Sequence, residues 1–214
     1  MKIVVEKLTT VDVLRRANQF TTGNESKMSL ETAYRTMHTP ARTQIFVIEF
    51  HDIPLFVASQ FVRSKIGVDW FMRSKRIDRG GEDFRATCRN IAGEMVDAYR
   101  SDNPETIGAV AEQIDNLPNR FDRYAPTDLM CIINAEAIVN MSHKRLCKNA
   151  STETREIWWK MVDELHDVDP ALANNCVPQC VYRGGICPEH KPCGFIHTMT
   201  GTEILNAYKS SFTK

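Results

Sequence analysis

The opening residues MKIVVEKL alternate apolar and polar positions closely enough to predict a strand. TQIFVIEF at 43–50 predicts a second, β-branched and aromatic and apolar on both faces. Between them, residues 11–37 carry a helical repeat broken by the polar TTGNES. IPLFVASQFVR at 53–63 sets Ile53, Phe56, Val57 and Gln60 at helical spacing, with Pro54 in the first turn. A paired-glycine turn in IDRGGEDFR (77–85) then leads to two helices, 86–100 and 104–115, divided at Asn103-Pro104. From Thr127 to Leu146 the apolar residues Leu129, Ile132, Ile133, Ala137, Ile138 and Met141 recur at intervals of three and four, predicting one amphipathic helix. Residues 152–166 predict another, presenting Ile157, Trp158, Met161, Val162 and Leu165. Neither an internal repeat nor a long flexible linker interrupts the pattern, so it reads as one α+β domain over 1–175 followed by a Cys-rich tail, 176–214.

Composition narrows the picture. A chain of 214 residues, 43% hydrophobic, can bury a substantial core. Lys plus Arg and Asp plus Glu both number 27, so no overall field draws the chain to nucleic acid or to an anionic membrane. The apolar runs fall well short of the roughly 20 residues of a membrane span, and the charged N-terminus lacks a signal peptide's apolar region. Seven cysteines, an odd number with Cys88, Cys131 and Cys147 in helically patterned segments, indicate free thiols in a reducing, cytoplasmic setting.

The stretch FVASQFVRSKIGVDWFMRSKR (56–76) turns abruptly from apolar to basic, spanning the end of the helix predicted over 53–63 and a following loop. Charge runs are ordinarily solvated faces. Here, however, Arg63, Lys65, Arg73, Lys75 and Arg76 are interleaved with Gly67, Trp70 and Phe71. That mixture suits a planar heterocycle carrying phosphate, since guanidinium groups grip oxygens and aromatic rings offer stacking area.

PLFVASQFVRSK (54–65), followed by Ser74 and Arg76, resembles the signature region of the flavin-dependent thymidylate synthases, in which an Arg-His-Arg triplet and a spacer precede a serine. His38, Thr39 and Pro40 resemble that family's upstream His-x-Thr-Pro element, and NAEAIVNMSHKRLCKNASTETREI (134–157) resembles its Asn-Ala helix and the segment after it. Three blocks in order are far harder to meet by chance than one. The chain departs from the pattern at Ser64, where the family has His, and at Lys65, where it has the second Arg. The spacer to Ser74 is longer, and an expected acidic residue is missing from the loop.

The resemblance implies a central, mainly antiparallel sheet packed with helices. It also implies an enzyme that converts dUMP to dTMP by reductive methylation, with methylenetetrahydrofolate giving the carbon and FAD, reduced by NADPH, giving the hydride. By this resemblance His38, Arg63, Ser64, Lys65, Asn134 and Asn140 hold the flavin, and Ser74, Arg76 and Arg123 bind the nucleotide. Arg145 lies along the uracil ring and serves catalysis by stabilising its developing charge. The family's sites lie between subunits of a homotetramer. The altered loop leaves open two further readings: a relative that methylates or hydroxymethylates another pyrimidine nucleotide, and a nucleotide-binding homologue without catalysis.

In the tail, Cys176, Cys180, Cys187 and Cys193 fall among prolines and the Gly184-Gly185 turn, a donor set able to hold a structural zinc ion; the alternative is a surface tail of free thiols.

Overall fold

The computed structural model describes residues 1–75 and 81–211. In chain order, β1 (Lys2–Lys7) is followed by α1 (Val11–Thr22), α2 (Leu30–Arg35) and a 3-10 turn at Thr39–Thr43. Next come β2 (Ile45–Pro54), α3 (Leu55–Phe61) and β3 (Val68–Met72). The helices α4 (Phe84–Ser101), α5 (Pro104–Asp115) and α6 (Leu117–Phe121) lead into β4 (Pro126–Asn134), α7 (Ala135–Arg145) and α8 (Thr152–Val168). Short helices α9 (Pro170–Ala173) and α10 (Gln179–Tyr182) precede a 3-10 turn at Phe195–His197 and α11 (Met199–Ser210). The four strands form one sheet in the order β1-β2-β4-β3, with every neighbouring pair antiparallel. The architecture is the α+β fold with the antiparallel sheet expected above.

Sheet and helices share one core. Phe46, Ile48 and Phe50 of β2 and Leu129, Cys131 and Ile133 of β4 are buried at alternate positions, as the two-residue period of a strand dictates. Ile138 of α7 and Trp158, Met161 and Leu165 of α8 close over them. Trp158 crosses Phe61 edge-on at 5.0 Å between centroids and donates its indole N–H to Ser142 Oγ at 2.9 Å, so its polar edge is satisfied inside the core. α4 and α5 instead pack mainly on each other around Ile91, Ala98 and Val110.

The structure corrects three elements of the sequence reading. The single helix expected over 127–146 is a strand as far as Asn134 and a helix only from Ala135. Leu129, Cys131 and Ile133 belong to a period of two, and joining them to the true helical residues Ala137, Ile138 and Met141 counterfeited a longer helical repeat. Cys131 therefore sits in a strand. The helix expected from Ile53 begins at Leu55 because β2 continues to Pro54 past an irregularity between Phe50 and Ile53, where Asp52 has φ 56. Where the sequence predicts a loop after the helix at 53–63, the chain forms β3; its exposed and charged residues carry a weak strand signal, and cross-strand pairing with β4 holds it. The glycine-pair turn expected within 77–85 falls partly on 76–80, outside the described residues.

One buried polar cluster ties the ends of the domain together. Asp169, between α8 and α9, is 3% exposed. Its carboxylate accepts from Lys7 Nζ at 2.6 Å, from Tyr34 Oη at 2.9 Å and from the Leu172 N–H at 3.1 Å, joining β1, α2 and α9. Burial, with the Asp169 charge beside it, pushes the Tyr34 phenol well above its usual range. Because removing the carboxylate strands a part-buried ammonium and the buried Tyr34 hydroxyl, Asp169→Ala should lower the unfolding free energy by about 3 kcal/mol. Urea denaturation followed by circular dichroism measures this; a loss under about 1 kcal/mol would show that the cluster is not a structural tie.

Candidate active site

The site grows from the point where β4 becomes α7. Asn134 ends the strand opposite Ile45, and its Oδ1 accepts from the Ala137 N–H at 2.9 Å, capping the helix. Gly67, just before β3, lies against this cap: the Asn134 N–H donates to its carbonyl at 2.9 Å. With φ 73, and with a Cβ there standing 2.6 Å from Asn134 Nδ2, position 67 admits only glycine without rearrangement. The loop carrying Arg63, Ser64 and Lys65 is thereby fixed beside the start of α7. The Trp70 indole donates to the Ser64 carbonyl at 2.9 Å and pins it further.

α7 then carries Arg145 to the same place. A cavity of about 740 Å³ is lined by Arg63, Ser64, Lys65, Asn134, Asn140 and Arg145, with Lys144 and the Arg42–Glu136 ion pair on its wall. The volume falls within the range of small-molecule and cofactor pockets. Arg145 is held from behind: its Nη2 donates to the Gln60 carbonyl, its guanidinium lies 6.0 Å from the Phe61 ring centroid, and Thr154 Oγ1 donates to Gln60 Oε1 at 3.2 Å. Its Nε is buried without a hydrogen-bond partner. Burial, and then the nearby charge of Arg63, hold the Arg145 guanidinium below its ordinary pKa. Among the described residues neither Arg63 nor Arg145 is paired with a carboxylate, whereas Arg42 and Arg73 are. Two uncompensated cations facing one cavity favour an anionic ligand.

The structure brings together six of the residues singled out in the sequence and separates the others. Ser74 lines a different cavity of about 410 Å³ with Arg73, Lys75 and Arg120. Val68 pairs with Ile133 and Met72 with Leu129, so Ser74 lies at the far end of β3. That span is roughly 20 Å from Gly67 at strand rise. As far as residue 75, the basic stretch is therefore two clusters at opposite ends of one strand. His38 is an exposed residue heading the 3-10 turn and lies outside the lining of the larger cavity. Arg123 is also exposed, its guanidinium 4.5 Å from the Phe56 ring centroid. Arg76 lies outside the described residues.

Sequence reasoning missed Gln60, Thr154, Glu136 and Arg42. Gln60 had been counted only as a position on an apolar repeat; a polar side chain on that face, just ahead of Arg63, was the available signal.

The tail cysteines fall in two places. Cys176 is buried in the main core, its thiol bonded to the Leu172 carbonyl at 3.4 Å, and burial pushes it up to about 12. Cys180, Cys187 and Cys193 lie elsewhere, around a cavity of about 310 Å³ that also meets Cys147 and His143. His143 is 8% exposed with Nε2 unpartnered; burial, then the charge of Arg183, pushes its imidazole down to about 4. No helix among the described residues is long and apolar enough to cross a membrane.

A family model described as thymidylate synthase complementing protein matches residues 6–171. A flavin-dependent thymidylate synthase of Saccharolobus solfataricus is 36% identical over 180 residues, covering 78% of this chain and 65% of that relative. The enzyme of the same name from Sulfolobus acidocaldarius is 38% identical over 65 residues, covering 30% of this chain and 24% of its own length. The chain thus spans less than two thirds of the length of the curated relatives it matches. A crystal structure of thymidylate synthase X from Helicobacter pylori with FAD and dUMP shares the fold, with a TM-score of 0.55 at 15% identity over 83% of this chain and 99% of that one. The chain belongs to the thymidylate synthase complementing protein family.

Two outcomes test this local geometry. Gly67→Ala should destabilise the fold by about 2 kcal/mol, combining left-handed strain with loss of the Asn134 cap. An unchanged urea midpoint would show that the loop is not seated on α7. For His143 the folded pKa of about 4 lies below the ordinary 6.5. The unfolded chain therefore binds the proton first, and stability is lost as pH falls through that window, by up to about 3 kcal/mol. His143→Phe should flatten this part of the stability-against-pH curve.

Proposed function

We propose that this protein is a flavin-dependent thymidylate synthase, forming dTMP from dUMP with FAD as the bound cofactor and NADPH and methylenetetrahydrofolate as co-substrates. The observation that carries the reading is the pair of uncompensated guanidinium groups, Arg63 and Arg145, facing a cavity built from the loop 63–67 and α7. The membership of the family and the cofactor and nucleotide named for its Helicobacter pylori member support the assignment.

The residues suit such a ligand. Arg63 and Lys65 present two cations to a diphosphate, the Arg through a planar fork and the Lys as a point charge. Asn134 has its Oδ1 engaged in the helix cap, which leaves Nδ2 as the donor toward the cavity. Asn140 and Ser64 add neutral polar groups to its wall. When bound, the flavin supplies the hydride, and the protein's part is to position and polarise.

Arg145 orients the pyrimidine by donating to its carbonyl oxygens, and its fixed charge stabilises the negative charge that builds on the ring as C5 reacts. The Gln60 carbonyl and the Phe61 ring hold that guanidinium in place before ligand arrives, so little reorganisation remains for the reacting complex. Cysteine is not required as nucleophile: Cys131 is buried in the sheet and its thiol is pushed up to about 12, far from the thiolate form.

Ser74, proposed with Arg76 for the nucleotide phosphate, does not share the Arg145 cavity within one chain, and neither do Arg123 and His38. A homotetramer, in which one subunit's 74-end meets another's Arg145 cavity, joins them into one site. Ser64, a hydroxyl where the family has an imidazole, favours a second reading in which a different pyrimidine nucleotide or a hydroxymethyl product is handled.

The visible spectrum of the protein with FAD, before and after dUMP, tests both ligands together: a flavin band that shifts on adding dUMP is expected. Arg145→Ala should weaken dUMP binding by about tenfold to a hundredfold, as for a charged hydrogen bond, with the circular dichroism spectrum unchanged. Absence of flavin binding would refute the cofactor assignment, and product analysis with dUMP and dCMP separates the two substrate readings.

A further inference from the structure

The thiols on the other side of Arg145, around a cavity whose wall Arg145 shares, form a second grouping that the proposed activity does not use. Cys147 occupies the turn after α7, Cys180 lies in α10, and Cys187 and Cys193 lie on the irregular segment 183–194. Cys147 is distant in sequence from the other three, yet all four line one cavity of about 310 Å³, and Cys180, Cys187 and Cys193 also line its neighbour. None is in a disulfide. The sulfurs are close enough to act on one another: burial first, and then Cys187, Cys147 and Cys193, push the Cys180 thiol up, and burial first, and then Cys193, Glu189 and Cys187, push up that of Cys147.

Four thiols converging from three parts of the chain are a donor set for a soft, tetrahedral cation, which would favour their thiolate form. We propose that Cys147, Cys180, Cys187 and Cys193 form a four-thiolate site for zinc, with Cys147 taking the place that spacing along the tail gave to Cys176. Cys176 is excluded by its position in the main core.

Among the described residues no three His, Cys, Asp or Glu side chains are already grouped for one metal ion, so binding draws the sulfurs inward. Cys187 and Cys193 are on a segment without helix or strand, where such adjustment is least opposed. Binding converts four thiols to thiolates and releases their protons to solvent. Lys144 and Lys148, on the cavity wall, offset the resulting negative charge. Because Cys147 follows Arg145 by two residues, the ion would also tie the end of α7 to the tail. The site does not depend on the proposed activity.

The test is metal analysis of the full chain, produced in zinc-supplemented medium and purified without chelator under reducing conditions. About one zinc per chain is expected. Cys147→Ser and Cys193→Ser should each lower zinc affinity by roughly tenfold or more, while Cys176→Ser keeps it. Cobalt(II) titrated into the reduced, metal-free wild type should give the sulfur-to-metal charge-transfer and strong visible bands of a tetrahedral thiolate site, a readout that does not require the variants to fold. Zinc that survives Cys147→Ser but is lost with Cys176→Ser would overturn the ligand set. Absence of both the zinc and the cobalt bands would overturn the site itself.

Discussion

Everything distinctive about the site depends on the junction at Asn134, where the chain turns from strand to helix without leaving the sheet. The residue's N–H is held by Gly67, the next N–H, of Ala135, donates to the Gln44 carbonyl at 2.9 Å, and the side chain caps α7. Three segments that are far apart in sequence therefore meet at one point. The absence of a side chain at Gly67 allows the approach, and the geometry of a single asparagine satisfies the backbone groups that the turn exposes. Loosening this junction would move the Arg63 loop and the axis of α7 relative to one another, and with them the two cations.

Electrostatics then acts on what the packing has placed. Arg42 and Arg73 are compensated by Glu136 and Asp128, while Arg63 and Arg145 are left facing a cavity. With a formal net charge of zero, the chain concentrates positive potential locally instead of spreading it. The strand between the two basic clusters has the same consequence in reverse: β3 keeps Ser74 away from Arg145, so the chain holds two separate basic clusters at opposite ends of that strand. The tail adds a further layer, bringing Cys180, Cys187 and Cys193 against the turn after α7, where they share a wall with Arg145.

Much of this was legible in the residues. The strands at either side of α1 and α2, the helices α4, α5 and α8, and the grouping of Arg63, Lys65, Asn134, Asn140 and Arg145 all follow from local pattern or from family resemblance. Local periodicity determined these because each element's buried face repeats within a few residues of chain. The strand β4 was concealed because its two-residue burial pattern ran directly into a helix, and β3 because pairing, not composition, sustains it. What only the tertiary structure decided was which distant residues share a cavity: that Arg145 rests on Gln60, that Ser74 stands apart, and that Cys147 and not Cys176 joins the tail thiols. Those outcomes come from contacts between segments up to about a hundred residues apart, whose free energy depends on how helices and strands pack and leaves no period in the sequence to read.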